Sequence, residues 1–337
     1  MNRLPRWFAP VAAAAPVVVL LGFYGWPFAT LLGRGLSPSS IGDSLGDAVT
    51  WRILWFTFWQ AVASTALTVA AGLAPAYVMA RYEFRGRRLL DGLLASVFVL
   101  PTVVMGAAVR ALLPDSIDHG VMAILAAHVI FNLAVVVRTV GAVLTTLPRD
   151  TEAAAATLGA SPRRVFREIT LPAVAPALGA AASIVFVFTF TSFGVIRLLG
   201  GVSRSTVEVE IWRQATQFGN IGAAATLTVL QLAVVTVVVA TSSMLQRRQS
   251  RSLSLRLRSS RRPPANGGQR RFVRTVAGLA ALVVIAPLAA LVERSLRIRN
   301  SYSLDAWRTL GHGDARPGMS IGIDPLESLV ESLKAMA

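Results

Sequence analysis

Seven uninterrupted apolar windows dominate this sequence, and each is long enough to cross a lipid bilayer. A membrane-spanning helix needs about 20 apolar residues, within a range of roughly 17 to 25. The windows of this length without Asp, Glu, Lys or Arg are 8–32, 53–80, 92–109, 121–137, 171–196, 221–245 and 275–292. Only 15% of the 337 residues are charged, whereas an average soluble domain has roughly 25%. The sequence therefore predicts an all-α membrane protein.

Basic residues are distributed unevenly among the segments that join these windows. With the N-terminus in the cytoplasm, the cytoplasmic segments 1–7, 81–91, 138–170 and 246–274 hold 21 of the 33 basic residues. The positive-inside rule favours this orientation. Membrane topology thus accounts for most of the formal charge of +16, and we expect no nucleic acid as a partner.

A stretch at 246–271 is rich in Arg, Ser, Pro and Gly, and such a composition cannot bury a core. We interpret it as a basic cytoplasmic linker that follows a complete six-span unit at 1–245. The segment 272–337 then resembles the start of the first unit at a constant offset of 260 residues. The matching positions include Pro27 with Pro287 and Arg34 with Arg294. Because repeats are common in transporters, we expect 272–337 to be a second, truncated unit of one span and an external segment.

The residue types that common forms of catalysis require are missing or badly spaced. The chain has no cysteine and three histidines, and none of these histidines has the spacing of metal ligands. It contains no Gly-rich phosphate loop of the Walker type and no paired carboxylates at one depth. We therefore expect a chain that is not an enzyme and binds no metal or cofactor itself.

A cytoplasmic loop at 150–172, between the fourth and fifth windows, carries an ordered series of helix signals. Asp150 or Thr151 is expected to cap a first short helix, and Glu152 in its first turn suits the helix dipole. Gly159 is expected to end that helix. Ser161 then caps a second short helix with Pro162 at its first position, and Leu171-Pro172 ends it at the membrane. Two short helices parallel to the bilayer favour docking against another protein.

This loop resembles the coupling loop of the permease subunits of binding-protein-dependent ABC importers with the type I fold, and we call residues 150–172 the coupling loop. Their pattern is Glu-Ala-Ala, three residues, Gly, nine residues, Ile, one residue and Leu-Pro. Ala154, Gly159 and Ile169 match in register, but Ala153 takes the place of the Glu and Glu152 lies one residue early. We therefore expect Glu152→Ala to be milder than the equivalent change in relatives. The resemblance implies ATPase-coupling residues Glu152, Ala153, Ala154, Gly159, Ala160, Phe166, Ile169, Leu171 and Pro172.

The resemblance also implies the partners and the location of the chain. In such importers a separate ATPase dimer binds ATP and Mg²⁺ and docks on the coupling loops. An extracytoplasmic binding protein delivers the substrate, and the pathway lies between two permease units in the bacterial plasma (inner) membrane. A single six-span unit is accordingly expected not to transport alone.

The end of the fifth window and the segment after it are similar to thiamine permeases, at 190–195, in the following Leu-Gly-Gly, and in Glu-Val-Glu-Ile-Trp at 208–212. Ferric-iron permeases, which are likewise often two fused units, provide the alternative substrate. Thiamine is a cationic heteroaromatic, and four rings are expected to face it through cation and stacking interactions. These rings are Phe188, Phe190, Phe193 and Trp212. The pathway candidates are Asn132, Thr189, Thr191, Ser192 and Phe193.

Several of these polar residues also have a structural interpretation. Ser and Thr are ordinary packing residues between membrane helices. Arg138 can end the fourth span by reaching the cytoplasmic interface, and His128 is expected to be a hydrogen-bonded packing residue. An ion-coupled secondary transporter is the alternative of another class, but it would need a carboxylate within a span, and the seven windows have none.

Overall fold

Helices make up nearly all of the computed structural model, which describes residue 14 and residues 16–201, 204–249, 261–298, 301–308 and 325–334. The helices are α1 (Pro16–Gly35), α2 (Pro38–Gly46), α3 (Ala48–Arg81), α4 (Arg87–Val99), α5 (Thr102–Leu112), α6 (Val121–Thr146), α7 (Arg149–Thr157), α8 (Pro162–Phe190), α9 (Gly194–Leu199), α10 (Val207–Thr216), α11 (Ile221–Gln249), α12 (Gly267–Ser295), α13 (Asp305–Arg308) and α14 (Pro325–Lys334). A two-residue antiparallel hairpin, β1 (Arg297–Ile298) and β2 (Ser301–Tyr302), follows α12.

Six of the described helices are long and apolar enough to span a membrane, and α4 with α5 supplies a seventh if the bent pair counts as one span. The six are α1, α3, α6, α8, α11 and α12. This confirms the all-α membrane fold. Residues 1–13 and 15, which include the first cytoplasmic segment and the start of the first predicted window, lie outside the described residues, as do 299–300, 309–324 and 335–337 of the predicted second unit.

The third predicted span is not a continuous helix, which corrects the window at 92–109. Its two halves, α4 and α5, meet at a bend of 111°. Leu100 is extended, with φ −62° and ψ 142°, and Pro101 follows it. A proline lacks the donor for a helical hydrogen bond and disfavours helical geometry at the residue before it. The break therefore has a local cause that hydropathy alone does not detect.

The fifth predicted window, 171–196, is also divided. Helix α8 ends at Phe190, the chain turns through 191–193, and α9 begins at Gly194. The Thr191 hydroxyl donates to the Val187 carbonyl at 2.9 Å, a local side-chain bond that competes with continued helix. The short α9 then packs across the start of α5.

The crossing requires glycine at residue 194, because the backbone of α5 leaves no room there for a side chain. A Cβ at residue 194 would lie 2.7 Å from the Val103 amide nitrogen and would also meet the Thr102 hydroxyl. We expect Gly194→Ala to lower stability by about 1–3 kcal/mol, because overpacking forces backbone shifts. Thermal unfolding in detergent measures the effect. Gly179→Ala, on α8 where nothing lies within 4 Å, is the matched control, and an equal loss in both variants would contradict the explanation.

The centre of the molecule is a bundle of α3, α6 and α8, each of which contacts the other two. Its interface is built from small and β-branched residues, as is common where membrane helices pack closely. Ala76, Val136, Val140, Ala181 and Val185 are buried there. Helix α11 packs against α8, α10 and α1, whereas α12 packs against α5, α4 and α3.

The predicted linker at 246–271 is helical at both ends. Helix α11 continues to Gln249, and α12 begins at Gly267 with the Asn266 side chain accepting from the Gln269 amide at 2.9 Å. This cap explains the early start of α12. Residues 250–260 of the linker lie outside the described residues. Helices α1 and α12 end 260 residues apart, the same offset as in the proposed repeat.

Candidate functional site

The coupling loop contains a tight turn between α7 and the start of α8. The Gly159 amide donates to the Ala156 carbonyl and the Ala160 amide to the Ala155 carbonyl, both at 3.0 Å. Gly159 has φ +85°. This is the usual left-handed end of a helix. The predicted cap at Ser161 is confirmed, since its side chain accepts from the Arg164 amide at 3.4 Å.

Two details of the predicted loop are wrong. Helix α7 begins at Arg149 after Pro148 without any side-chain cap, so Asp150 and Thr151 lie inside its first turn instead of capping it. The second helix does not end at Leu171-Pro172, because α8 runs unbroken from Pro162 into the membrane. A π-helical turn at Phe166–Thr170 makes this continuity possible. The Leu171 amide bonds to the Phe166 carbonyl, five residues back, and the wider turn accommodates a proline that cannot donate.

The tip of the coupling loop is exposed although it carries apolar side chains. Leu158 is 89% exposed, and Phe166 is 36% exposed. Of the remaining predicted coupling residues, four are exposed and four are half-buried. The exposed residues are Ala153, Ala154, Gly159 and Pro172, and the half-buried residues are Glu152, Ala160, Ile169 and Leu171. Single exposed apolar residues are common on proteins, but a contiguous apolar surface marks a contact site, so Leu158 and Phe166 are candidates for contact with another protein.

A buried arginine at the end of α3 holds the coupling loop to the helix bundle. Arg81, whose side chain is 1% exposed, donates to a Glu152 carboxylate oxygen at 2.7 Å. It also donates to the Leu147 carbonyl at 3.0 Å. The same Glu152 oxygen accepts from the Thr170 hydroxyl at 2.9 Å. Arg81 and Glu152 therefore connect three parts of the loop to the end of α3. These parts are Leu147 before the loop, helix α7, and Thr170 on α8.

Glu152 thus has a clear role within the chain although it is displaced from the family pattern. Its first-turn position on α7 directs the carboxylate back toward Arg81. A charge-assisted bond to a buried guanidinium is among the stronger hydrogen bonds in proteins. This geometry predicts that replacing Glu152 disturbs the coupling loop, and the comparison with relatives stays a prediction.

A substitution series at Gly159 tests the turn. Since nothing lies within 4 Å of a Cβ built on Gly159, a side chain there costs only the strain of a left-handed backbone, about 1–3 kcal/mol. We expect Gly159→Val to weaken coupling between ATP hydrolysis and uptake in the reconstituted complex. Gly159→Asn should retain it, because asparagine tolerates this conformation. Equal coupling in the two variants would show that coupling does not depend on the left-handed turn at Gly159.

The pathway candidates lie in two places. Asn132 on α6 is buried, and its amide donates to the His128 carbonyl at 2.9 Å. Thr189 is buried on α8, and its hydroxyl donates to the Val185 carbonyl at 2.9 Å. The other three, Thr191, Ser192 and Phe193, form the break between α8 and α9. The bonds of Asn132 and Thr189 are those of packing residues.

Two polar residues of α3, which the sequence patterns did not single out, join this region. Gln60 is fully buried, and its amide nitrogen donates to the Thr189 carbonyl at 2.9 Å. Ser64, one turn later, shares a hydrogen bond with His128 Nδ1 at 3.0 Å, which confirms His128 as a hydrogen-bonded packing residue. The signal was present, because Gln60 and Ser64 are polar residues at helical spacing within an apolar window.

The four rings expected to face a cation do not converge. Phe188 packs against Phe98 with 5.7 Å between ring centroids, and Phe190 stacks on Phe186 at 5.4 Å. Phe193 lies edge-on to Trp212, and Arg197 already covers the Trp212 ring at 5.0 Å. The rings Phe188, Phe190, Phe193 and Trp212 therefore do not face one common point, and Phe188 and Phe190 diverge because nearby positions on one helix point in different directions.

Comparison with known families decides the class. Residues 71–251 match the family model "Binding-protein-dependent transport system inner membrane component". The chain belongs to this family. It is accordingly a multi-pass inner-membrane permease. The family match gives no support to the ion-coupled secondary transporter considered from the sequence.

Curated relatives of this permease include proteins for two different solutes. It is 30% identical over 268 residues to the thiamine transport system permease protein ThiP of Brucella melitensis, covering 74% of this chain and 49% of that protein. It is 31% identical over 180 residues to the sulfate transport system permease protein CysT of Salmonella typhimurium, covering 44% and 65%. The chain thus spans about half the length of the thiamine permease.

A solved structure supports the fold. The permease resembles a chain of a bacterial ABC transporter involved in the import of the acidic polysaccharide alginate, with a TM-score of 0.61 and 15% identity. The match covers 73% of this chain and 96% of the other. At this identity the likeness concerns the architecture alone.

Proposed function

We propose that this permease forms part of the substrate pathway of an ATP-driven importer and is coupled to a separate ATPase dimer by the coupling loop. The observation that carries the proposal is the combination of an exposed apolar tip at Leu158 with a base fixed by Arg81 and Glu152. A surface that transmits movement must be accessible to its partner and rigidly connected to the helices. ATP and Mg²⁺ belong to the ATPase, and this chain binds no cofactor.

The proposal includes an orientation and two further partners. The N-terminus lies in the cytoplasm, which places the coupling loop on the ATPase side, as the excess of arginine there favours. An extracytoplasmic binding protein delivers the substrate. A second permease unit covers the exposed stripe of α8, where Ile184 and Phe188 are one turn apart and 41% and 42% exposed.

Thiamine is the substrate that the relatives favour. The similarity to the thiamine permease extends over 74% of the chain, well beyond the coupling loop. Ferric iron, the other substrate expected from the sequence, has no support among these relatives. The external binding protein selects the substrate in this proposal, so the four rings of the permease need not converge on it.

Sulfate is a second candidate, favoured by a basic cavity as well as by the sulfate permease relative. The cavity, about 330 Å³, lies between α9 and α10 and is lined by Arg197, Arg204 and Arg213. Arg213 is paired with Glu210 at 3.1 Å. No carboxylate in the described residues pairs with Arg197 or Arg204. Guanidinium groups suit an oxyanion better than a cation.

Uptake into proteoliposomes containing the complete transporter distinguishes the candidates. We expect ATP-dependent uptake of radiolabelled thiamine that excess unlabelled sulfate does not reduce. Arg197→Gln with Arg204→Gln is expected to leave thiamine uptake unchanged. Uptake of sulfate that this double variant abolishes would replace thiamine by sulfate, and the absence of ATP-dependent uptake of any solute would contradict the importer.

A further inference from the structure

A second basic cavity lies at the opposite end of the helix bundle, on the side of the coupling loop. It measures about 400 Å³ and lies between the ends of α3 and α6 and the start of α4. We call it the arginine cavity. Its lining includes Arg87 and Asp91 of α4, Arg138 of α6, Arg261, and the apolar Met79 and Val137.

Backbone pairing holds Arg261 at the arginine cavity. The Arg262 amide donates to the Arg81 carbonyl at 3.2 Å, and the Glu83 amide donates to the Arg262 carbonyl at 3.0 Å. Tyr82 and Arg262 form a parallel bridge. The end of the linker is thereby fixed beside α3, and this contact uses no side chain of Arg261.

The arginine cavity has more positive charge than its carboxylates balance. Arg138 lies 3.5 Å from Asp91, and Arg87 lies 3.4 Å from Glu83. No carboxylate in the described residues pairs with Arg261. The Nε atom of Arg261 is buried without a hydrogen-bond partner. Buried polar atoms are normally satisfied, so this donor, beside two arginines whose charges are already paired, indicates a missing acceptor.

We propose that the arginine cavity binds a phosphate group, supplied by the headgroup of an anionic phospholipid in the cytoplasmic leaflet. Phosphate oxygens accept several bonds from guanidinium groups in a fixed geometry. The cavity lies where the helices α3 and α6 end, and basic pockets between membrane helices at this depth suit anionic headgroups. Met79 and Val137 give the adjoining wall an apolar surface. This inference is independent of the transported substrate.

Native mass spectrometry of the chain extracted from nanodiscs tests the proposal. The nanodiscs contain phosphatidylcholine alone or with phosphatidylglycerol. We compare the native chain with Arg261→Gln and with Arg138→Gln plus Arg261→Gln. The matched control, Arg163→Gln plus Arg271→Gln, removes the same charge from exposed residues that do not line the cavity. Thermal unfolding of each variant verifies folding, and Arg261→Gln leaves the backbone pairing intact.

We expect the native chain and the control to retain phosphatidylglycerol, and each cavity arginine removed to reduce retention by about tenfold. Equal retention in the native chain and the cavity variants would overturn the proposal. A parallel measurement uses radiolabelled inorganic phosphate with phosphatidylcholine nanodiscs. Phosphate binding that the cavity variants abolish, without any difference in phosphatidylglycerol retention, would overturn the lipid as the source and assign the cavity to a soluble phosphate.

Discussion

Replacing Arg81 by methionine is expected to reduce ATP-driven uptake by at least about tenfold, and by more if the full cost of breaking a buried ion pair, about 3–5 kcal/mol, falls on the loop. The substitution removes the donor to Glu152 and to the Leu147 carbonyl together. Released from α3, the coupling loop would move without moving the bundle. Hydrogen exchange of residues 149–160 should accelerate while that of α6 does not change.

Two further variants distinguish the loss of this ion pair from general damage to the fold. They are Glu152→Gln, and the exchange of the two residues in Arg81→Glu with Glu152→Arg. Glutamine keeps an acceptor for the Thr170 hydroxyl but removes the charge opposite Arg81, so an intermediate loss is expected. The double variant should recover part of the uptake that is lost in Arg81→Glu alone and in Glu152→Arg alone, and a double-mutant cycle of these variants quantifies the recovery. Additive losses, or uptake that Arg81→Met leaves unchanged, would show that the ion pair does not hold the coupling loop for transport.

Leu158→Asp is expected to abolish stable binding of the ATPase. A leucine that is 89% exposed in the free chain contributes nothing to the fold, but its burial in a partner groove is worth about 1.5–3 kcal/mol. An unpaired carboxylate in that groove adds a desolvation cost. The affinity for the ATPase should therefore fall by about a hundredfold or more, while thermal stability of the permease stays the same.

Leu158→Met is the matched control for this substitution, because it preserves size and apolar character. Copurification of the ATPase with each variant and titration in detergent provide the affinities. If the aspartate variant bound the ATPase as tightly as the methionine variant, Leu158 would lie outside the interface.

The spans were predictable because the bilayer imposes one simple requirement. A helix without charged residues over about 20 positions satisfies its backbone and its surroundings at once. The breaks at Pro101 and at 191–193 were not predicted, since a hydropathy window does not register local backbone chemistry. Pro101 was a visible signal, whereas the break before Gly194 depends on contact with α5, which the sequence does not display.

The coupling loop was also predictable only in part. Gly159, Ser161 and Pro162 act on their immediate neighbours, so their effects could be predicted from local rules. The partner of Glu152 could not, because Arg81 lies 71 residues earlier in the chain and the pair forms only when α3 and α6 pack. A motif comparison finds the surface that faces a partner, but it does not find the internal contact that holds that surface in place.

The central claim is that the coupling loop contacts the ATPase on the cytoplasmic side, and site-specific crosslinking from residue 158 tests it most directly. Because the sequence contains no cysteine, an introduced cysteine provides a single reactive thiol on this chain. Leu158→Cys, in membranes containing the complete transporter, is expected to crosslink to the ATPase and to react with a thiol reagent only from the cytoplasmic side. Ser39→Cys, exposed on α2 between the first two spans, should react only from outside and form no such crosslink. Crosslinking of the ATPase to residue 39, or labelling of residue 158 from outside, would contradict the account.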